Sequence, residues 1–100
     1  MNLVDTSGWI EYFFDGRNAV YFTSPIEAVD DLVVPVICLY EVFKKVNAVV
    51  NEAQALQAIG QMKQGRIIDL TEDVALSAAL ISLKHMLPMA DSLIFATAQA

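Results

Sequence analysis

The chain carries one cysteine and one histidine in 100 residues. A lone cysteine rules out an internal disulfide and fits a reduced cytoplasm. Cys38 and His85 lie far apart in sequence and offer neither zinc-ligand spacing nor a catalytic dyad. The four glycines never cluster, so there is no phosphate-cradling loop, and Ser7 lacks the glycine pattern of a nucleophile elbow. Basic residues are scarce: six Lys and Arg stand against twelve Asp and Glu, for a net charge of −6. That balance argues against broad phosphate binding driven by counterion release. Long apolar runs are missing too. The longest, Leu32 to Tyr40, is about half of what a bilayer-spanning helix requires, and it contains Pro35. Asp5 interrupts the first apolar run and no basic-then-apolar leader opens the chain, so a soluble cytoplasmic protein without a membrane segment or signal peptide is expected.

What the sequence does have is apolar content, 56% of its residues, enough for one core and too short a chain for two. Residues 1–100 read as a single domain. Asn2 to Val4 reads as a short buried strand, and Ser7 to Phe14 as a helix with Trp9, Ile10, Phe13 and Phe14 at helical spacing. Asp15-Gly16-Arg17-Asn18 marks a turn, and Pro25 is expected to open a short helix ending near Asp30-Asp31. Leu32 to Ile37 is a β-branched run typical of a strand buried on both faces, with Pro35 removing one ladder donor and Cys38 a small buried side chain at its end. From Leu39, the positions Val42, Phe43, Val46, Val49 and Val50 predict an amphipathic helix that Asn51-Glu52 breaks. A helix through Ala53, Leu56, Ile59 and Met62 follows, then a third strand over Arg66 to Leu70.

Thr71 is placed to cap the next helix, whose Val74, Ala78, Ile81 and His85 share one face while Leu76, Leu80 and Leu83 occupy another. Apolar on two sides, that helix is expected to be well buried. Pro88 opens a last helix with Ala90, Leu93, Ile94 and Ala98 on its apolar side and Asp91 in its first turn. Strands separated by helices imply a parallel sheet with right-handed crossovers, an α/β class.

Three acids, Asp5, Glu41 and Asp91, fall where an apolar run ends or a helix begins, which is where parallel α/β sheets place their chemistry. Hard cations such as Mg²⁺ and Mn²⁺ take oxygen ligands of this kind, and without a cation three converging carboxylates repel one another. Each acid also has an ordinary structural reading. Asp5 can cap the helix starting near Ser7. Glu41 can pair with Lys45 one turn on, and Asp91 can complement a helix dipole. Phe13, Phe14, Tyr21 and Phe22 read as core and interface rather than base-stacking platforms.

In their order and local contexts, Leu3-Val4-Asp5-Thr6-Ser7-Gly8-Trp9-Ile10, Tyr40-Glu41-Val42 and Leu87-Pro88-Met89-Ala90-Asp91-Ser92-Leu93-Ile94 resemble the PIN domain. Within that family the likeness is to VapC-type toxins of prokaryotic toxin–antitoxin pairs, and it runs over essentially the whole chain. The resemblance implies a three-layer α/β/α fold with a parallel sheet and a Mg²⁺- or Mn²⁺-dependent endoribonuclease held in check by an antitoxin protein. A homodimer is implied as well. Residue by residue, Asp5, Glu41 and Asp91 match the family's catalytic, metal-binding acids, and Thr6 matches a small hydroxyl residue beside the site. The family continues past the helix of Asp91 through a further strand, a fourth acidic position and more helix and strand. Residue 100 lies inside that helix, so an incomplete domain with an exposed first-strand edge is expected.

A second reading is a catalytically defective PIN fragment acting as a dimerisation or antitoxin-binding module. A third, a phosphatase or receiver domain with Asp5 as phosphate acceptor, is weakened by Ser7 standing where such phosphatases place a second aspartate, and by the lack of adjacent acids with a late lysine.

Overall fold

Leu32-Val33-Val34-Pro35 is buried at every position, as a central strand of a helix-covered parallel sheet must be. In the computed structural model, which describes residues 1–100, this strand β2 (Leu32–Pro35) lies between β1 (Asn2–Leu3) and β3 (Arg66–Ile68). Both pairings are parallel. Asn2 and Leu3 stand opposite Leu32 and Val33, while Val33, Val34 and Pro35 stand opposite Arg66, Ile67 and Ile68. The expected α/β class with a small parallel sheet is what forms, and β1 is an edge strand.

Six helices surround the sheet: α1 (Thr6–Phe13), α2 (Val20–Glu27), α3 (Val36–Val49), α4 (Glu52–Met62), α5 (Glu72–His85) and α6 (Met89–Gln99). No single helix is long and apolar enough to cross a membrane. Leu32 and Val34 point to one face of β2 and enter the main core with Trp9 of α1, Cys38, Val42 and Val46 of α3, and Ala55, Ala58 and Met62 of α4. A smaller cluster joins Val74 and Ala78 of α5 to Leu93 and Ala96 of α6, with Ile37 of α3 against it. The connection from β1 into α1 is tight. A Cβ on Gly8 would lie 2.6 Å from Val4 Cγ1 and 2.7 Å from Phe22 Cε1, so only glycine lets α1 approach β1 and α2 this closely.

Several expectations are corrected. The second strand stops at Pro35, and Val36 and Ile37 belong to α3. Proline has no N–H to extend the ladder and takes φ −60° and ψ 137° at the helix N-cap. The buried row Cys38, Val42, Val46 then runs at four-residue spacing from the first turn of α3, so Cys38 is a helix residue rather than a strand end. Pro25 lies inside α2 rather than opening it. The helix grows directly from the Asp15–Asn18 turn, through bonds from Tyr21 N to Asn18 O and from Phe22 N to Ala19 O. It ends two residues after the proline and gives way to a 3-10 turn over Val29–Asp31. The third strand is three residues long, not five.

The largest difference is α5. Thr71 caps it as expected, its Oγ1 accepting from Val74 N at 3.2 Å. Only the Val74, Ala78 side is buried, however, against α6. Leu76, Leu80 and Leu83 remain 60%, 69% and 80% exposed, and His85 is exposed with them. A helix with two apolar faces buries whichever meets a partner, and periodicity does not say which that is. On α6, Ala96 rather than Ala98 is on the buried side.

Candidate active site

Asp5 follows β1 and occupies the N-cap of α1, where the backbone is still extended (φ −75°, ψ 173°) and a carboxylate can reach the helix's free amides. Its Oδ1 accepts from Gly8 N at 2.8 Å. That bond satisfies the capping reading and leaves the second carboxylate oxygen uncommitted. Thr6, the first residue of α1, donates its hydroxyl to Glu41 Oε1 at 2.5 Å, so Glu41 is tied across the end of the sheet to the residue beside Asp5. The expected Glu41 pairing with Lys45 is not the bond this oxygen makes.

Beneath the pair sits Cys38, fully buried and three residues before Glu41 on α3. Thr6 Oγ1 is 3.6 Å from its sulfur, the longer and weaker of the two Thr6 contacts, since a single hydroxyl proton already serves the carboxylate. Burial pushes the Cys38 thiol up from 9.0 to about 11. The Thr6 hydrogen bond opposes the rise, and the Glu41 and Asp5 charges add to it. Both carboxylates therefore stand close enough to one thiol for their charges to act on it.

Asp91 lies in the first turn of α6 and is exposed. It precedes Ile94 by three positions and shares its face of the helix, and Ile94 belongs to the same core cluster as Cys38. Its carboxylate does not complete a triad: nowhere do three His, Cys, Asp or Glu side chains stand together closely enough to hold a metal ion. The structure thus brings together Asp5, Thr6 and Glu41, with Asp91 on the adjoining helix.

Two features escaped the sequence reading. Cys38 and Glu41 share a face of α3, which the extended reading of Leu32–Ile37 concealed. Lys44 Nζ stands over the Tyr40 ring, 5.8 Å from its centroid, a pairing that their four-residue spacing allows.

Asp5 and Glu41 thus lie at the C-terminal side of a small parallel sheet, the end at which open α/β proteins place their ligand sites. The PIN domain family model matches residues 3–100. The chain belongs to the PIN domain family, whose members are generally nucleases that use divalent metals. Among solved structures, a toxin–antitoxin complex from Klebsiella pneumoniae is similar at 25% sequence identity and a TM-score of 0.78, the match covering 99% of this chain and 78% of that one. Comparison with curated proteins gives no match.

Proposed function

We propose that this chain is a Mg²⁺- or Mn²⁺-dependent endoribonuclease and the toxin of a toxin–antitoxin pair. The observation that carries the reading is the Asp5–Thr6–Glu41 constellation, in which each carboxylate has one oxygen fixed by a protein donor and one left over. Two carboxylates and a hydroxyl are hard oxygen donors, the chemistry such a cation selects. Asp5 and Glu41 would hold it, and Asp91, whose carboxylate stands apart from the pair, would have to move toward them from α6 to join. A bound cation would supply a polarised phosphate and an activated water for in-line attack.

The protein's part is orientation. Gly8 N holds Asp5 in its rotamer, and the Thr6 hydroxyl holds Glu41, so the two acids are positioned before any ligand arrives. The acids act as ligands rather than as general bases. The antitoxin partner is supported by the structural neighbour, itself a toxin–antitoxin complex. A cytoplasmic location accords with a fully buried lone thiol.

The lack of a three-acid cluster favours a second reading, a catalytically defective PIN module that retains antitoxin binding or dimerisation. Cleavage of a mixed structured RNA pool separates the two. The purified chain is assayed with Mn²⁺, with chelator, and as Asp5→Asn. Cutting that needs both cation and Asp5 is expected. Cutting that survives in Asp5→Asn overturns the nuclease reading, and no cutting in any arm leaves the binding module.

A further inference from the structure

An acidic nuclease must still hold an anionic strand against its carboxylates, and this chain has six basic side chains with which to do it. Two of the six, Lys44 and Lys45, stand on one turn of α3 next to Glu41. With Tyr40, Glu41 and Ala48 they line an open hollow of about 280 Å³. Tyr40 is 61% exposed although it is a large aromatic, and both lysines are exposed. Lys44 reaches back over the Tyr40 ring, while Glu41 is turned to Thr6.

We propose that this hollow is the substrate-entry subsite, binding single-stranded RNA with one base stacked on the Tyr40 ring in the place that Lys44 takes in the free chain, and the flanking phosphates on Lys45 and on Lys44 swung off the ring. The inference rests on the nuclease reading and extends it. Glu41 is the shared wall: it lines the hollow and belongs to the acidic pair, so a strand lying along α3 is delivered to the carboxylates. Lys45 is one helical turn from Glu41, about 6 Å along the axis, and Lys44 is one turn from Tyr40.

Aromatic stacking is tolerant of base identity, and the lysines neutralise phosphates locally where the net charge of the chain does not. A base edge is not read here, so the subsite positions the strand rather than selecting its sequence. Duplex RNA has no unstacked base to offer Tyr40 and should bind less well.

The test is fluorescence anisotropy of a labelled single-stranded RNA in Mg²⁺ across a salt series, using an Asp5→Asn parent so that the probe stays intact. Lys44→Ala and Lys45→Ala should each lower the slope of log affinity against log salt by about 0.7, the single-strand value per phosphate contact. Tyr40→Ala should weaken binding by roughly 5- to 150-fold, the range for losing one stacked base, whereas Tyr40→Phe should bind like the parent. Lys63→Ala, just past the end of α4, and Lys84→Ala, on α5, should change nothing.

Parent-like binding by the Lys44→Ala/Lys45→Ala double variant overturns the subsite and leaves the nuclease reading standing. Tighter binding of duplex, or of an acidic peptide with Tyr40→Ala silent, also overturns it. Failure of the parent to bind RNA at any salt, together with no cutting by the unmodified chain, removes both readings.

Discussion

Asp5 has two roles on this reading, and they separate by substitution. As the N-cap of α1 it accepts one hydrogen bond from Gly8 N at 2.8 Å. As a ligand candidate it contributes a negative charge. Asp5→Ala removes both roles, whereas Asp5→Asn keeps a side-chain oxygen able to cap and loses only the charge. Replacing a capping Asp by Ala costs about 1 kcal/mol, while Asn caps about as well as Asp. For a domain of this size, about 1 kcal/mol corresponds to a fall in Tm of roughly 4–8 °C. Thermal melts by far-UV circular dichroism, in chelator so that no cation contributes, should therefore place Asp5→Asn beside the parent and Asp5→Ala several degrees below. Both variants should fail to cut RNA in Mn²⁺. An Ala variant that melts with the parent refutes the capping argument. An Asn variant that falls as far as Ala shows that the charge, not the cap, was the stabilising element.

Three further outcomes follow from the same geometry. Gly8→Ala would ordinarily gain about 1 kcal/mol of helix propensity, but its Cβ meets Val4 and Phe22 below 3 Å, an overpacking that costs about 1–3 kcal/mol, so a net loss of up to about 2 kcal/mol is expected in urea unfolding, and a gain would refute the close-packing account. Cys38 keeps its proton in the folded chain between 9.0 and about 11, where the unfolded chain loses it. The native state then binds more protons, and stability should fall as pH rises through that window and flatten in Cys38→Ala, as read by unfolding midpoints on either side of 9.0. Leu80→Gln, at a position 69% exposed, should shift stability by no more than about 0.5 kcal/mol. Val74→Ala on the buried face should cost more, and a large loss in Leu80→Gln would place that leucine in a packed interface.

Much of this architecture was readable because several local signals agreed with the global fold. Thr71 followed by Glu72 and Asp73 announced the start of α5, Asn51-Glu52 marked the break after α3, and the short run ending at Asp5 placed the first acid at the end of a strand. The β-branched run around Pro35 misled because Val36 and Ile37 suit a strand by composition, yet the missing proline N–H and the Cys38, Val42, Val46 row give them to a helix. The leucines of α5 misled for a different reason. Their spacing describes an apolar face, but exposure depends on what packs against it, which is a tertiary fact. Motif context marked Asp5, Glu41 and Asp91 separately. The bond from Thr6 to Glu41, and the position of Cys38 below it, join residues more than thirty positions apart that no local pattern links.

Trp9 is the only tryptophan in the chain, fully buried in α1, stacked on Phe13 at 5.5 Å with an indole N–H that meets no acceptor. It gives the molecule an intrinsic optical probe four residues from Asp5. Its emission should be blue-shifted in the native chain and move to the red when α1 detaches. Because a single fluorophore reports on the helix that Asp5 caps, cation titrations and unfolding curves can be followed without a label. Any ligand that tightens the β1–α1 junction should appear in the same signal that records its melting.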